Sequence, residues 1–182
     1  MGRDKALLSW GKETLLSHAV TLAGKVASSV HIVGDAEKFA GFGVVIEDVY
    51  RERGPLGGIH AALSRSATEL NLMLAVDLPF AEPRFLRYLV EQANRSDAIV
   101  TVPRAGNGWQ PLCAVYRREF AAVAEQSLRE GKNKIDALFA RVKIRVVEEQ
   151  ELLQQGFSAA MFRNVNTPEE LEAARRDLAE SR

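Results

Sequence analysis

Apolar positions along the chain switch between two periods. Leu15, Ala19, Leu22, Ala23 and Val26 recur at helical spacing and predict a helix over residues 15–27. Val30-His31-Ile32-Val33 and Val44-Val45-Ile46 are short strand-like runs, broken by Gly34-Asp35 and by Glu47-Asp48. Helical spacing returns over 59–66, 83–94, 120–129 and 135–140, with Pro83 placed where the first turn of a helix tolerates it. Strands are predicted at 70–76, 98–102, 110–116 and 142–147, the last alternating so that one face meets water. Helices and strands in alternation argue for an α/β fold on a mostly parallel sheet.

The run Leu70-Asn71-Leu72-Met73-Leu74-Ala75-Val76 is nearly unbroken and ends in Asp77, with Pro79 stopping the strand. A short run buried on both faces suits an inner strand of a parallel sheet. Ligands of open α/β sheets sit outside the carboxyl ends of such strands, which places Asp77 in that crevice. The competing reading makes Asp77 a cap for the next helix. Asp48 ends a second strand in the same way, and two strand-end carboxylates in one crevice suit a metal or a ribose. Acids after strands are equally ordinary loop residues.

Composition narrows the class. The chain has 182 residues, 47% of them hydrophobic, which suits one domain with an ample core. Lys plus Arg and Asp plus Glu number 24 each, so net charge gives no reason to expect nucleic acid or an anionic membrane as partner. Cys113 is the single cysteine and lies in an apolar run, which excludes a disulfide framework and points to a reducing cytoplasm. With no basic neighbour in sequence it reads as a buried, inert thiol rather than a nucleophile. No apolar stretch is long enough for a transmembrane helix.

Other candidates are local. Gly54-Pro55-Leu56-Gly57-Gly58 feeds the helix predicted over 59–66, so its glycines permit a close ligand approach at a helix N-terminus. The same stretch also reads as a plain turn. His60 just beyond it reads as structural. Residues 104–109 form a polar, glycine-bearing tip before Gln110-Pro111-Leu112, suited to covering an acceptor substrate or to being a surface hairpin. Lys132 and Lys134 are read as a solvated charge run rather than a phosphate contact. Thr167, Pro168 and Glu170 spell a capping box for a helix ending near Ala179, and Asn164 and Asn166 lie just before it.

Six of these pieces stand in one order: Met1-Gly2-Arg3-Asp4-Lys5, Glu47-Asp48, Gly54-Pro55-Leu56-Gly57-Gly58, Asp77-Leu78-Pro79-Phe80, Gln110-Pro111-Leu112, and Asn164-Val165-Asn166-Thr167-Pro168-Glu169-Glu170-Leu171. In that order the chain resembles the molybdenum cofactor guanylyltransferases over nearly its whole length. The resemblance implies a three-layer, Rossmann-like nucleotidyltransferase fold of the GT-A-like type and a single domain over 1–182. It implies transfer of GMP from GTP to molybdopterin, with Mg²⁺ and release of pyrophosphate. By matching position Lys5 is the phosphate-binding lysine, Asp48 contacts the guanosine, and Gly54, Pro55, Leu56 and Gly57 line the nucleotide. Asp77 binds both nucleotide and Mg²⁺, and Asn166 is the second metal position. Gln110, Pro111 and Asn164 belong to the acceptor side. Molybdoenzymes or cofactor-delivery proteins are the implied protein partners, and the cytoplasm the implied compartment.

One departure bears on activity. The family opens with an apolar strand and a leucine-alanine-glycine-glycine loop, and this sequence starts at the methionine that follows them. The expectation is a start placed at an internal methionine; a chain truly beginning here should bind GTP poorly and leave neighbouring strands unpaired. Two further readings stay open: a nucleotidyltransferase with another nucleotide or acceptor, and a non-catalytic module that has lost its phosphate loop.

Overall fold

The computed structural model describes residues 4–50, 52–106, 108–165, 167, 170 and 173. Its elements run β1 (Ser9–Trp10), β2 (Glu13–Thr14), α1 (Leu15–Gly24), β3 (His31–Val33), α2 (Ala36–Phe39), β4 (Val44–Ile46), α3 (Gly54–Arg65) and β5 (Leu70–Leu74). They continue α4 (Pro83–Asn94), β6 (Val100–Ala105), β7 (Gly108–Trp109), β8 (Cys113–Arg117), α5 (Phe120–Arg129), β9 (Ile144–Glu148) and α6 (Glu149–Gln154). Short 3₁₀ segments span Lys5–Leu7, Ala40–Phe42, Asp136–Arg141 and Ala159–Phe162. α4 and α5 have the predicted bounds, because an amphipathic stripe several turns long is the strongest local signal.

The sheet is mixed. β8 lies between β5 and β6 and runs antiparallel to both, whereas β9 runs parallel to β6. β5, β6 and β9 therefore share one direction, and β7 and β8 run against it because the short return after β6 reverses the chain. β3 and β4 pair in parallel as a separate two-stranded sheet. β5 departs from its expected inner position. Among the described residues it pairs with β8 alone, and all five of its residues are only half-buried.

β8 shows how the three layers form. Cys113 and Val115 face one side, where they pack with Leu22 of α1 and with Phe85, Leu86 and Leu89 of α4. Ala114 and Tyr116 face the other, among Leu56, Ile59 and Leu63 of α3 and Phe120, Ala124 and Leu128 of α5. Alternate residues of an extended strand point to opposite faces, so a continuous apolar run needs helices on both. Cys113 is fully buried here and burial pushes its thiol up to about 12, which makes it the inert thiol expected.

α3 begins earlier than the predicted 59–66, at Gly54. Pro55 fits the first turn because the N–H it lacks has no intrahelical partner there. The glycine-rich piece is thus the first turn of the helix rather than a loop before it. The tail's predicted helix falls mostly outside the described residues. Within them, the Glu170 N–H donates to Thr167 Oγ1 at 3.1 Å, as the capping box requires.

Candidate functional site

Asp77 stands just past the carboxyl end of β5, in a turn held from three sides. Its own carbonyl accepts the Val165 N–H at 2.9 Å, which brings the segment carrying Asn164 against it. The Ala75 N–H donates to the Leu112 carbonyl at 2.8 Å, which sets the Gln110–Leu112 turn beside the same strand end. The third contact is ionic: Lys5 Nζ lies 2.5 Å from Asp77 Oδ2. The Asp77 side chain is 13% exposed and that of Lys5 45%, so the pair is sheltered on the acid's side and open on the lysine's. Lys5 starts the 3₁₀ turn that Asp4 caps by accepting the Ala6 N–H. Ala6 is buried beside Val76 in a small cluster with Leu16 and Ile32. Packing next to the strand end therefore delivers Lys5 to Asp77 across 72 residues of sequence.

Asp48 follows β4 and accepts the Tyr50 N–H at 3.3 Å. Burial raises its carboxyl above the ordinary 3.8, against the opposing effects of the Tyr50 N–H and of His60. Gly57 of α3 explains how close the two segments come. A Cβ there would stand 2.8 and 3.0 Å from the Asp48 carboxylate oxygens and 3.0 Å from the Tyr50 carbonyl. Gly57→Ala is expected to cost about 1–2 kcal/mol net, an overpacking penalty less ~1 kcal/mol of helix propensity, read as a lower urea midpoint.

The sign of the Asp48 shift can also be tested. A raised carboxyl favours folding most below 3.8, and that stabilisation is lost as pH rises through the folded value. The ionised side chain is then a cost at neutral pH. Asp48→Asn should raise Tm slightly at pH 7, with the difference closing below about pH 4 as both chains become neutral there.

Gly54 and Pro55 are exposed at the start of α3. Leu56 is fully buried among α3, α5 and the sheet, where its side chain serves the core. Gln110 is half-buried, its Nε2 donating to the Ala105 carbonyl at 3.3 Å, and the Pro111 carbonyl accepts the Tyr116 hydroxyl at 2.8 Å. Asn164 is exposed. Asn166, Pro168 and Asn107 at the hairpin tip lie outside the described residues. Lys132 pairs with Glu130 and Lys134 with Asp136, as a solvated run should. His60 is buried, with Tyr50 packed on its ring and Ser64 bonded to its Nε2, a structural role.

A cavity of about 600 Å³ opens beside the Asp77 turn, lined by Glu13, His18, Pro79, Phe80, Met161 and Arg163 among others. Sequence reading missed His18 and Glu13. His18 bonds to Pro79 across 61 residues, a pairing no local pattern announces.

Among the described residues no cluster of three or more His, Cys, Asp or Glu side chains is arranged to hold a metal. Asp77 alone fits a different kind of site. Mg²⁺ commonly takes one or two carboxylates and completes its shell with substrate phosphates and water. A sheltered, single carboxylate beside a lysine matches that donor set, with phosphate oxygens supplying the remainder.

Residues 1–146 match the family model described as "MobA-like NTP transferase domain". A probable molybdenum cofactor guanylyltransferase of Pelotomaculum thermopropionicum is 38% identical over 177 residues, covering 96% of this chain and 85% of that one. The molybdenum cofactor guanylyltransferase of Desulfosudis oleivorans is 31% identical over 176 residues, covering 95% and 86%. Among solved structures, molybdopterin-guanine dinucleotide biosynthesis protein A from Archaeoglobus fulgidus superposes with a TM-score of 0.82 at 24% identity, covering 98% of this chain and 92% of that one. CMP:2-keto-3-deoxy-manno-octonic acid synthetase shares the fold at a TM-score of 0.74 and 16% identity, with the same coverage.

Proposed function

Because the chain belongs to the MobA-like NTP transferase family, we propose that it is a molybdenum cofactor guanylyltransferase, transferring GMP from GTP to molybdopterin with release of pyrophosphate. The observation that carries this reading is the Lys5–Asp77 pair at the carboxyl end of β5. It is a nucleotide-phosphate site in miniature, with one cation for phosphate oxygens and one hard carboxylate for a metal.

The reaction needs no protein nucleophile. An oxygen of the molybdopterin phosphate attacks the α-phosphorus of GTP, the new P–O bond forms, and the bond to the β-phosphate oxygen breaks. Catalysis then rests on alignment and on neutralising charge as it moves onto the leaving group. Bound Mg²⁺ would supply Lewis-acid neutralisation of the phosphates. Asp77 would hold that ion, and Lys5, beside it, would direct its ammonium to the pyrophosphate oxygens. Asp48 receives the ribose or base, with Gly54 to Gly57 closing the α3 side. Gln110, Pro111 and Asn164 form the acceptor side, and Asn166 would be the second metal contact.

The reading also assigns one nucleotidyltransferase domain, a cytoplasmic setting, and molybdopterin-delivery proteins or molybdoenzymes as neighbours in the pathway. Among the described residues no helix is long and apolar enough to cross a membrane. The test is thermal stabilisation by GTP, CTP and ATP with and without Mg²⁺. GTP with Mg²⁺ should raise Tm most, and equal shifts from all three would count against guanylyl transfer.

A further inference from the structure

His18 lies in the first turns of α1, and both of its ring nitrogens meet acceptors. Nδ1 is 3.0 Å from Glu13 Oε1, and Nε2 is 3.1 Å from the carbonyl of Pro79. The ring thus bridges a carboxylate of β2 and a backbone carbonyl of the turn that follows Asp77.

The position of the second contact gives it meaning. Pro79 is two residues beyond Asp77, and His18 belongs to the same folded unit as Lys5. That unit is tightly tied together: the Leu8 N–H bonds to the Lys5 carbonyl, the Leu15 N–H to the Leu8 carbonyl, and β1 pairs with β2. Trp10 packs against both the His18 ring and Phe80. Two polar links thus join the same two segments, Lys5 to Asp77 and His18 to Pro79. The charged residues that line the adjoining cavity together with His18 are Glu13 on β2, Lys25, Glu82 and Arg163.

We propose that His18 is a positioning residue for the reacting centre: bridging Glu13 and the Pro79 carbonyl, it fixes the turn that carries Asp77 against the segment that carries Lys5. The proposal rests on the nucleotidyltransferase reading. In that reaction a misplacement of about 1 Å away from the reacting atoms costs on the order of 10²-fold in rate.

The experiment compares the wild-type chain with His18→Gln and Glu13→Gln. It measures GMP transfer from GTP to molybdopterin, the thermal melt, and the ¹³C resonance of the Asp77 carboxyl without nucleotide. His18→Gln should lower kcat by about 10- to 100-fold, leave KM for GTP within ~3-fold, and shift the Asp77 resonance. Glu13→Gln, which keeps the ring but loses its anionic partner, should give the same pattern with a smaller loss. If His18→Gln melts without cooperativity, Glu13→Gln decides by the same pattern. An unchanged kcat, or a kcat loss with the Asp77 resonance unmoved in a folded variant, overturns the proposal. A wild-type chain that transfers no GMP removes the nucleotidyltransferase reading instead, and the Asp77 resonance still reports whether His18 holds the turn.

Discussion

Asp77→Asn is expected to reduce kcat for GMP transfer by about 10²–10³-fold, equivalent to ~2.7–4 kcal/mol of transition-state stabilisation by comparison with removing a single oxyanion-hole donor. The substitution is nearly isosteric and removes only charge, so the effect isolates electrostatics from packing. Lys5 would lose its ionic partner at 2.5 Å, and a divalent cation would lose its carboxylate. The turn itself should persist, because its anchor is the Asp77 backbone carbonyl bonded to the Val165 N–H. Tm should therefore stay close to wild type while the Mg²⁺-dependent part of the GTP-induced shift disappears. The measurement is steady-state GMP transfer with a parallel melt. A variant with unimpaired kcat would remove Asp77 from the centre of the mechanism.

Phe85→Ala should produce the largest loss of stability, about 3–5 kcal/mol, the range for a fully buried aromatic replaced by a methyl group. Phe85 is completely buried and packs edge-on against Phe157 and Phe162, with centroids 5.4 Å away in each case. Its removal would leave a cavity bounded by α4 and the segment after α6, lined by rings that cannot collapse without moving backbone. Against a typical total of about 5–15 kcal/mol, roughly a fifth or more of the folding free energy is at stake. The loss should appear as a lower urea midpoint at unchanged slope. It should also reach the site, since Phe162 leads directly into Arg163–Val165 and Val165 holds the Asp77 carbonyl. A midpoint within error of wild type would mean that this cluster reorganises freely.

The Asp77 variant tests what the strand pattern predicts, and the Phe85 variant tests what long-range packing supplies. The run ending in Asp77 was legible as a strand from its nearly unbroken apolar residues, and its carboxyl end is where an α/β sheet offers ligands a crevice, although the expected inner position gave way to a half-buried one. Pro83 and the Phe85, Leu86, Leu89 stripe likewise specify α4 to the residue. Gly54 to Gly58 was harder, since glycine and proline punctuate turns and also occupy first turns of helices. Only the approach of Asp48 and the Tyr50 carbonyl to Gly57 shows why that glycine sits inside α3.

By itself the sequence determined the order of helices and strands, the α/β class, and the strand-end carboxylates Asp48 and Asp77. All of these follow from periodicity and from short-range backbone chemistry. It also carried the resemblance to the molybdenum cofactor guanylyltransferases, and the chain belongs to the MobA-like NTP transferase family. The tertiary structure decided the rest: the reversed β8, the half-buried position of β5, and the partners Lys5 and Asp77, separated by 72 residues. It also decided that His18 meets Pro79. The physical reason is that these contacts depend on which faces pack together in three dimensions, and a one-dimensional pattern of apolar and polar residues fixes the faces without fixing their mates.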